Sequence, residues 1–108
     1  MTWIIEFYNE KVKKQTLAFP EGIKAKLLHI LDTIEELGPH TIGKPHIAPM
    51  GSGLYEIRAK GKEGRARSFF CSIHEKPVKI LHSIIKKSKK APKKDLDLAR
   101  ARMKEIKK

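Results

Sequence analysis

The sequence predicts an α+β fold: one strand and two helices, then three antiparallel strands, then a closing helix. Three observations carry this. A β-branched and aromatic run opens the chain, an apolar stripe at helical spacing follows it, and the middle third alternates apolar and polar residues between glycine turns. With 108 residues, one domain spanning 1–108 is expected. The hydrophobic fraction of 40% is that of a globular chain and too high for a disordered one.

Thr2 to Tyr8 (TWIIEFY) suits a pleated, half-buried surface and is expected as the first strand. Asn9 is placed to cap a short helix reaching about Phe19, since its side-chain oxygen can accept an otherwise free backbone N–H. Pro20 fits the first turn of a second helix, where its missing N–H costs nothing. Ile23, Leu27, Ile30, Leu31, Ile34 and Leu37 then form one apolar stripe. Gly38 and Pro39 end it, the glycine by turning left-handed and the proline by barring continuation. Pro39 to Gly53, with three prolines and three glycines, reads as a loop.

In Leu54 to Lys60 (LYEIRAK), Tyr55, Ile57 and Ala59 fall on one face and Glu56, Arg58 and Lys60 on the other. Gly61 to Gly64 is a turn, Arg65 to His74 a strand, Glu75 to Pro77 a turn, and Val78 to Lys86 a third strand. Both parities of VKILHSIIK are mostly apolar, as in a central strand covered on both sides. Pro92 opens the last helix, with Leu96, Ala99, Met103 and Ile106 on one face and basic residues on the other.

Charge narrows the function. The chain has a net charge of +12, and it is segregated: residues 1–42 sum to −1, residues 43–90 to +9 and residues 91–108 to +4. A basic end of this density implies a large anionic partner, because each phosphate contact releases counterions. Met1 to Tyr8 has no basic start followed by a long apolar stretch, and no run approaches the roughly 20 residues needed to span a bilayer. Cys71 is alone, so no internal disulfide or cysteine metal cluster is expected. A cytoplasmic protein without membrane contact follows from these readings.

Familiar catalytic motifs do not occur. Gly51-Ser52-Gly53 lacks the lysine and hydroxyl of a phosphate loop, and no metal-ligand spacing is present. His29 and His82 read as structural, and His46 and His74 sit near turns where either could face RNA, each a weak signal alone. The stronger signal is a cation cluster: Arg58 and Lys60 on one strand face, Arg65 and Arg67 returning on the next strand, and Lys86, Lys87, Lys89 and Lys90 leaving the third. Arg67 shares parity with the apolar Phe69, Cys71 and Ile73, so a bulge or strong twist near it is expected. A charged, solvated sheet face is the plain alternative.

Three segments carry a resemblance: GLYEIR at Gly53–Arg58, GKEGRAR at Gly61–Arg67, and ILHSIIKKSKKAP at Ile80–Pro92, followed by a helix with Ala99, Arg102 and Ile106. Together they resemble the RelE/ParE toxin superfamily of type II toxin–antitoxin systems, and within it the phage-derived, HigB-like branch. Ser83 and Ile84 depart from the family's small residue and phenylalanine, and Ser88 and Ala91 from its threonines.

The resemblance implies a RelE-like fold, with the first strand and two helices packed on a small, mainly antiparallel sheet. It also implies a metal- and cofactor-independent endoribonuclease that cleaves mRNA in the ribosomal A site through the ribose 2′-hydroxyl. Carried over residue by residue, it marks Arg58, Lys60, Arg67 and Lys86 as catalytic. Arg65, Lys87, Lys89, Lys90, Lys93 and Lys94 would then hold RNA, and Glu56 is expected as a plain solvent residue, with a base for the 2′-hydroxyl as the alternative. The partners implied are the ribosome, mRNA and a cognate antitoxin, a small helix-turn-helix DNA-binding protein with an acidic contacting face. Two other classes remain open: a ParE-like gyrase poison, and a basic nucleic-acid binder without catalysis.

Overall fold

A computed structural model describes residues 3–43, 45–72, 77–86 and 93–107. The chain runs β1 (Ile4–Phe7), α1 (Glu10–Leu17), α2 (Glu21–Leu37), a 3-10 turn (Pro39–Thr41), β2 (Ile47–Gly51), β3 (Leu54–Gly61), β4 (Gly64–Ser72), β5 (Pro77–Lys86) and α3 (Lys93–Ile106). The strands form one sheet in the order β1-β5-β4-β3-β2. All neighbours are antiparallel except β1 and β5, which run parallel, and α1 and α2 carry the chain from β1 to β2 at the opposite edge of the sheet.

Local chemistry sets the helix boundaries much as the sequence implied. The Asn9 side chain accepts from the Val12 N–H at 2.8 Å and starts α1. Gly38, at φ +85°, ends α2, and a side chain there would collide with the Trp3 indole, whose Nε1 lies 2.7 Å from the position of a Cβ. Pro20 is the cap of α2 rather than part of its first turn, and it offers no side-chain acceptor. Glu63, in the β3–β4 turn, does so instead: its carboxylate accepts from the N–H groups of Gly22 and Ile23 at 2.9 and 3.2 Å. The bond from Gly22 holds that carboxyl below its ordinary range. Gly61 makes this docking possible, because a Cβ there would lie 2.6 Å from the Ile23 nitrogen. The tip of the β3–β4 hairpin is thereby fixed to the start of α2.

The segment read as a loop between Pro39 and Gly53 contains a strand. β2 pairs along the outer edge of β3, with Ile47 opposite Ile57. Pro49 hid it, since proline argues against a central strand, but at a sheet edge its missing N–H breaks no ladder bond. Leu37, placed on the apolar stripe, is 60% exposed, while Ile23, Leu27, Ile30, Leu31 and Ile34 are buried.

Two cores lie on opposite faces of the sheet. α1 and α2 cover Ile57, Ala59, Ala66, Phe70, Val78 and Ile80. α3 covers Leu54, Phe69, Cys71 and Leu81 with Ala99 and Met103. β5 serves both, and a one-residue bulge explains how. Phe70 pairs with Ile80 and Phe69 with His82, leaving Leu81 as the extra residue. Val78 and Ile80 therefore face α1 and α2, whereas His82, Ile84 and Lys86 have crossed to the α3 side. The mixed parity of VKILHSIIK is the trace of this switch.

Leu81→Ala should keep the register and cost about 2–5 kcal/mol in urea unfolding. Deleting Leu81 removes the extra residue and leaves a regular ladder in which Lys86 still stands opposite Arg65, so the variant should still unfold cooperatively, weakened by the lost side chain. A deletion variant that no longer unfolds cooperatively would contradict this reading of the ladder.

Candidate active site

α3 covers only half of its sheet face, and the other half carries the charge. Cross-strand register arranges that half in rows. Lys60, Arg65 and Lys86 stand opposite one another at the open end, followed by Arg58, Arg67 and Ile84. Glu56, Phe69 and His82 come next, at the edge of the core that α3 covers. Directly opposed side chains on one sheet face lie within about 5.5 Å at Cβ. The three strands therefore gather Arg58, Lys60, Arg65, Arg67 and Lys86 as the sequence indicated. Lys87, Lys89 and Lys90 lie outside the described residues, as does His74.

Arg67 reaches this face without a bulge of its own. It keeps the parity of Phe69 and Cys71, and the irregularity sits at Leu81 on the neighbouring strand. The expected conflict dissolves because one face is core beneath α3 and open beyond it. Arg67 is 8% exposed, and burial pulls its guanidinium below the ordinary value. Lys86, 9% exposed, is lowered in the same sense, by burial first and then by Arg67.

Glu56 corrects the sequence reading: it is not a solvent residue but is 3% exposed. Its Oε1 accepts from Arg58 Nε at 2.8 Å, and its Oε2 lies 3.3 Å from Arg67 Nε. One carboxylate thus pairs with two guanidinium groups, by a hydrogen bond to Arg58 and an ion pair with Arg67, whose Nη1 also reaches the Ala66 carbonyl at 3.5 Å. The signal was present in the strand alternation, which put Glu56 on the face of Arg58.

The face continues over the free edge of β3 into a pocket of about 270 Å³, lined by Arg58, Lys60, Arg65, Arg67, Lys26, Pro45, His46 and Ala59. Lys26 comes from α2 and was not legible in the sequence. On the opposite side, α3 is clamped down by polar contacts. Asp95 Oδ1 meets His82 Nε2 at 2.7 Å, Arg102 donates to the Leu81 carbonyl at 2.8 Å, and Arg100 donates to the Gly51 carbonyl at 3.2 Å. His82 is structural, as expected, whereas His29 is an exposed residue of α2. Arg100 and Arg102 are spent on holding α3, while Lys93 and Lys94 at its start are exposed. Among the described residues no group of three acidic, histidine or cysteine side chains is arranged to hold a metal ion, and no helix is long and apolar enough to cross a membrane.

The family described as phage-derived protein Gp49-like (DUF891) matches residues 14–104. The chain belongs to this family of RelE-type toxins. No curated protein matches the Gp49-like chain. Among solved structures it is similar to a chain of the archaeal RelE–RelB complex from Pyrococcus horikoshii OT3, at 22% identity and a TM-score of 0.55, over 79% of this chain and 96% of that one. The likeness establishes the RelE fold that the sequence motifs implied.

Two stability measurements check the electrostatics. Glu56→Gln leaves the buried Arg67 cation without its counter-charge and should cost about 3 kcal/mol in urea unfolding, near the lower end for a broken buried pair. A neutral result would show that the carboxylate is dispensable. Lys86, being lowered in the fold, binds fewer protons there than in the unfolded chain, so its charge weakens the fold below its depressed value and the penalty fades as pH rises towards 10.5. Lys86→Met should therefore raise the urea midpoint at neutral pH, with the gain shrinking in alkaline solution. No gain at neutral pH would refute the penalty.

Proposed function

We propose that this Gp49-like protein is a ribosome-dependent mRNA interferase of a type II toxin–antitoxin module. The observation that carries the reading is the gathering of Arg58, Lys60, Arg65, Arg67 and Lys86 on one open half-face around a buried carboxylate. Attack of a ribose 2′-hydroxyl on the adjacent phosphate needs an acceptor for the hydroxyl proton, a donor for the departing 5′-oxygen, and cations on the phosphorane. Arg67, oriented by Glu56, presents a planar fork suited to two phosphate oxygens. Arg58 and Lys60 hold the phosphate from β3. Lys86, whose depressed value makes it a better proton donor than an ordinary lysine, protonates the leaving oxygen. Arg65, Lys93 and Lys94 grip the RNA backbone, together with Lys87, Lys89 and Lys90.

An antitoxin with an acidic contacting face would neutralise the same cations; the archaeal structure with the RelE fold is a complex with RelB. Cytoplasmic action on ribosome-bound message accords with a basic face suited to RNA backbone rather than base readout.

Primer extension on a defined message in a purified translation system tests the reading. Wild type should cut only when ribosomes are present, and Arg67→Ala should lower the rate about 100-fold to 1000-fold, the usual cost of losing one transition-state donor. Intact message with wild type would move the assignment to gyrase, where a supercoiling assay decides.

A further inference from the structure

We infer that His46 is the group that accepts the proton of the attacking 2′-hydroxyl. The inference rests on the cleavage reading above and deepens it. β2 begins at Ile47, so the last part of β3 has no partner strand on its outer side. The chain arrives there at His46, whose carbonyl accepts from the Arg58 N–H at 2.8 Å. That bond fixes the His46 backbone beside one of the phosphate-holding arginines. The imidazole is half-buried and lines the same pocket as Arg58, Lys60, Arg65 and Arg67.

Chemistry then separates His46 from its neighbours. The pocket's other titratable groups are Lys26, Lys60, Arg58, Arg65 and Arg67, all cations at neutral pH. A guanidinium has no lone pair to offer a hydroxyl proton, and an ammonium must first lose its own. An imidazole is unprotonated in a large fraction of molecules near neutral pH and accepts directly. Among the described residues no side chain bonds to the His46 ring nitrogens.

Position supports the same division of labour. His46 stands on the β2 side of the rows and Lys86 on β5, about 14 Å apart at the backbone by three strand spacings. A phosphodiester held by Arg58 and Arg67 between them has an acceptor on one side and a donor on the other, as in-line displacement requires. The 2′-oxygen bonds to phosphorus as its proton passes to the imidazole. The bond to the 5′-oxygen breaks as that oxygen takes a proton from Lys86. The products are a 2′,3′-cyclic phosphate and a 5′-hydroxyl, with no oxidant or co-reactant.

The test compares single-turnover cleavage of ribosome-bound message by wild type and His46→Gln from about pH 5.5 to 8.5, the range in which histidine titrates. Wild-type rate should rise with pH and level off, and the variant should lose at least about 100-fold together with the rise. In parallel, the His46 ring of wild type is titrated by NMR with and without an RNA fragment lacking the attacking 2′-hydroxyl. The bound phosphodiester should raise the titration midpoint, since a nearby anion favours the imidazolium. An unmoved midpoint at saturation, or a variant with the wild-type rate and profile, overturns the assignment and leaves cleavage standing. A wild type that spares the message on ribosomes defeats the cleavage reading itself, and this assignment with it.

Discussion

The Glu56 carboxylate, 3% exposed between Arg58 and Arg67, is the interaction on which the charged half of the sheet depends. Like charges set directly opposite one another across strands repel, and here Lys60, Arg65 and Lys86 form one such row and Arg58 and Arg67 the next. Two charges about 4 Å apart interact by roughly 4 kcal/mol at the effective dielectric of a protein surface. One buried anion therefore offsets a substantial share of the repulsion, and offsets it where burial makes Arg67 costliest. It cannot offset all of it. Five cations around one carboxylate leave a local deficit of negative charge, and that deficit favours an anion at the site.

The deficit would be of no use if α3 ran across it. Where that helix stops is decided by polar contacts as much as by its apolar face. Asp95 on His82, in the first turn, and Arg102 on the Leu81 carbonyl, further along, seat the helix over the bulge, so the core it covers ends at the Phe69–His82 row. The bulge does the rest. Were β5 to alternate regularly through Leu81 with no bulge, Lys86 would point towards α1 and α2, and the cluster would lose the cation contributed by β5. A single added residue thus couples the packing of two cores to the composition of the site.

Much of this was legible in the sequence. Periodicity gave both long helices and β3, and strand alternation placed Glu56, Arg58 and Lys60 together before any coordinates. Periodicity failed where a residue's role depended on its place in the sheet. Pro49 argued against β2 only because an edge position cannot be read from one strand, and the parity of Arg67 looked wrong only because the extent of α3 cannot be read from a helix pattern. Glu56 was misjudged for a related reason: a lone acid on a basic strand looks solvated until neighbouring strands close over it. Lys26, and the docking of Glu63 on α2, join residues about 30 to 40 positions apart through the bend of the hairpin, and left no local mark.

A site short of negative charge has a thermodynamic consequence beyond recognition. Whatever anionic surface occupies it binds the folded chain and not the unfolded one, and so stabilises the fold by an amount set by its concentration and affinity. The residues that make the site weaken the free protein, as the depressed Arg67 and Lys86 indicate. The same residues make the occupied protein stronger. Under the proposed function, RNA backbone and an acidic protein partner would draw on one deficit and would therefore compete for it. Control of such a protein by a partner needs no conformational signal: filling the charge deficit both silences the site and relieves the strain of having built it.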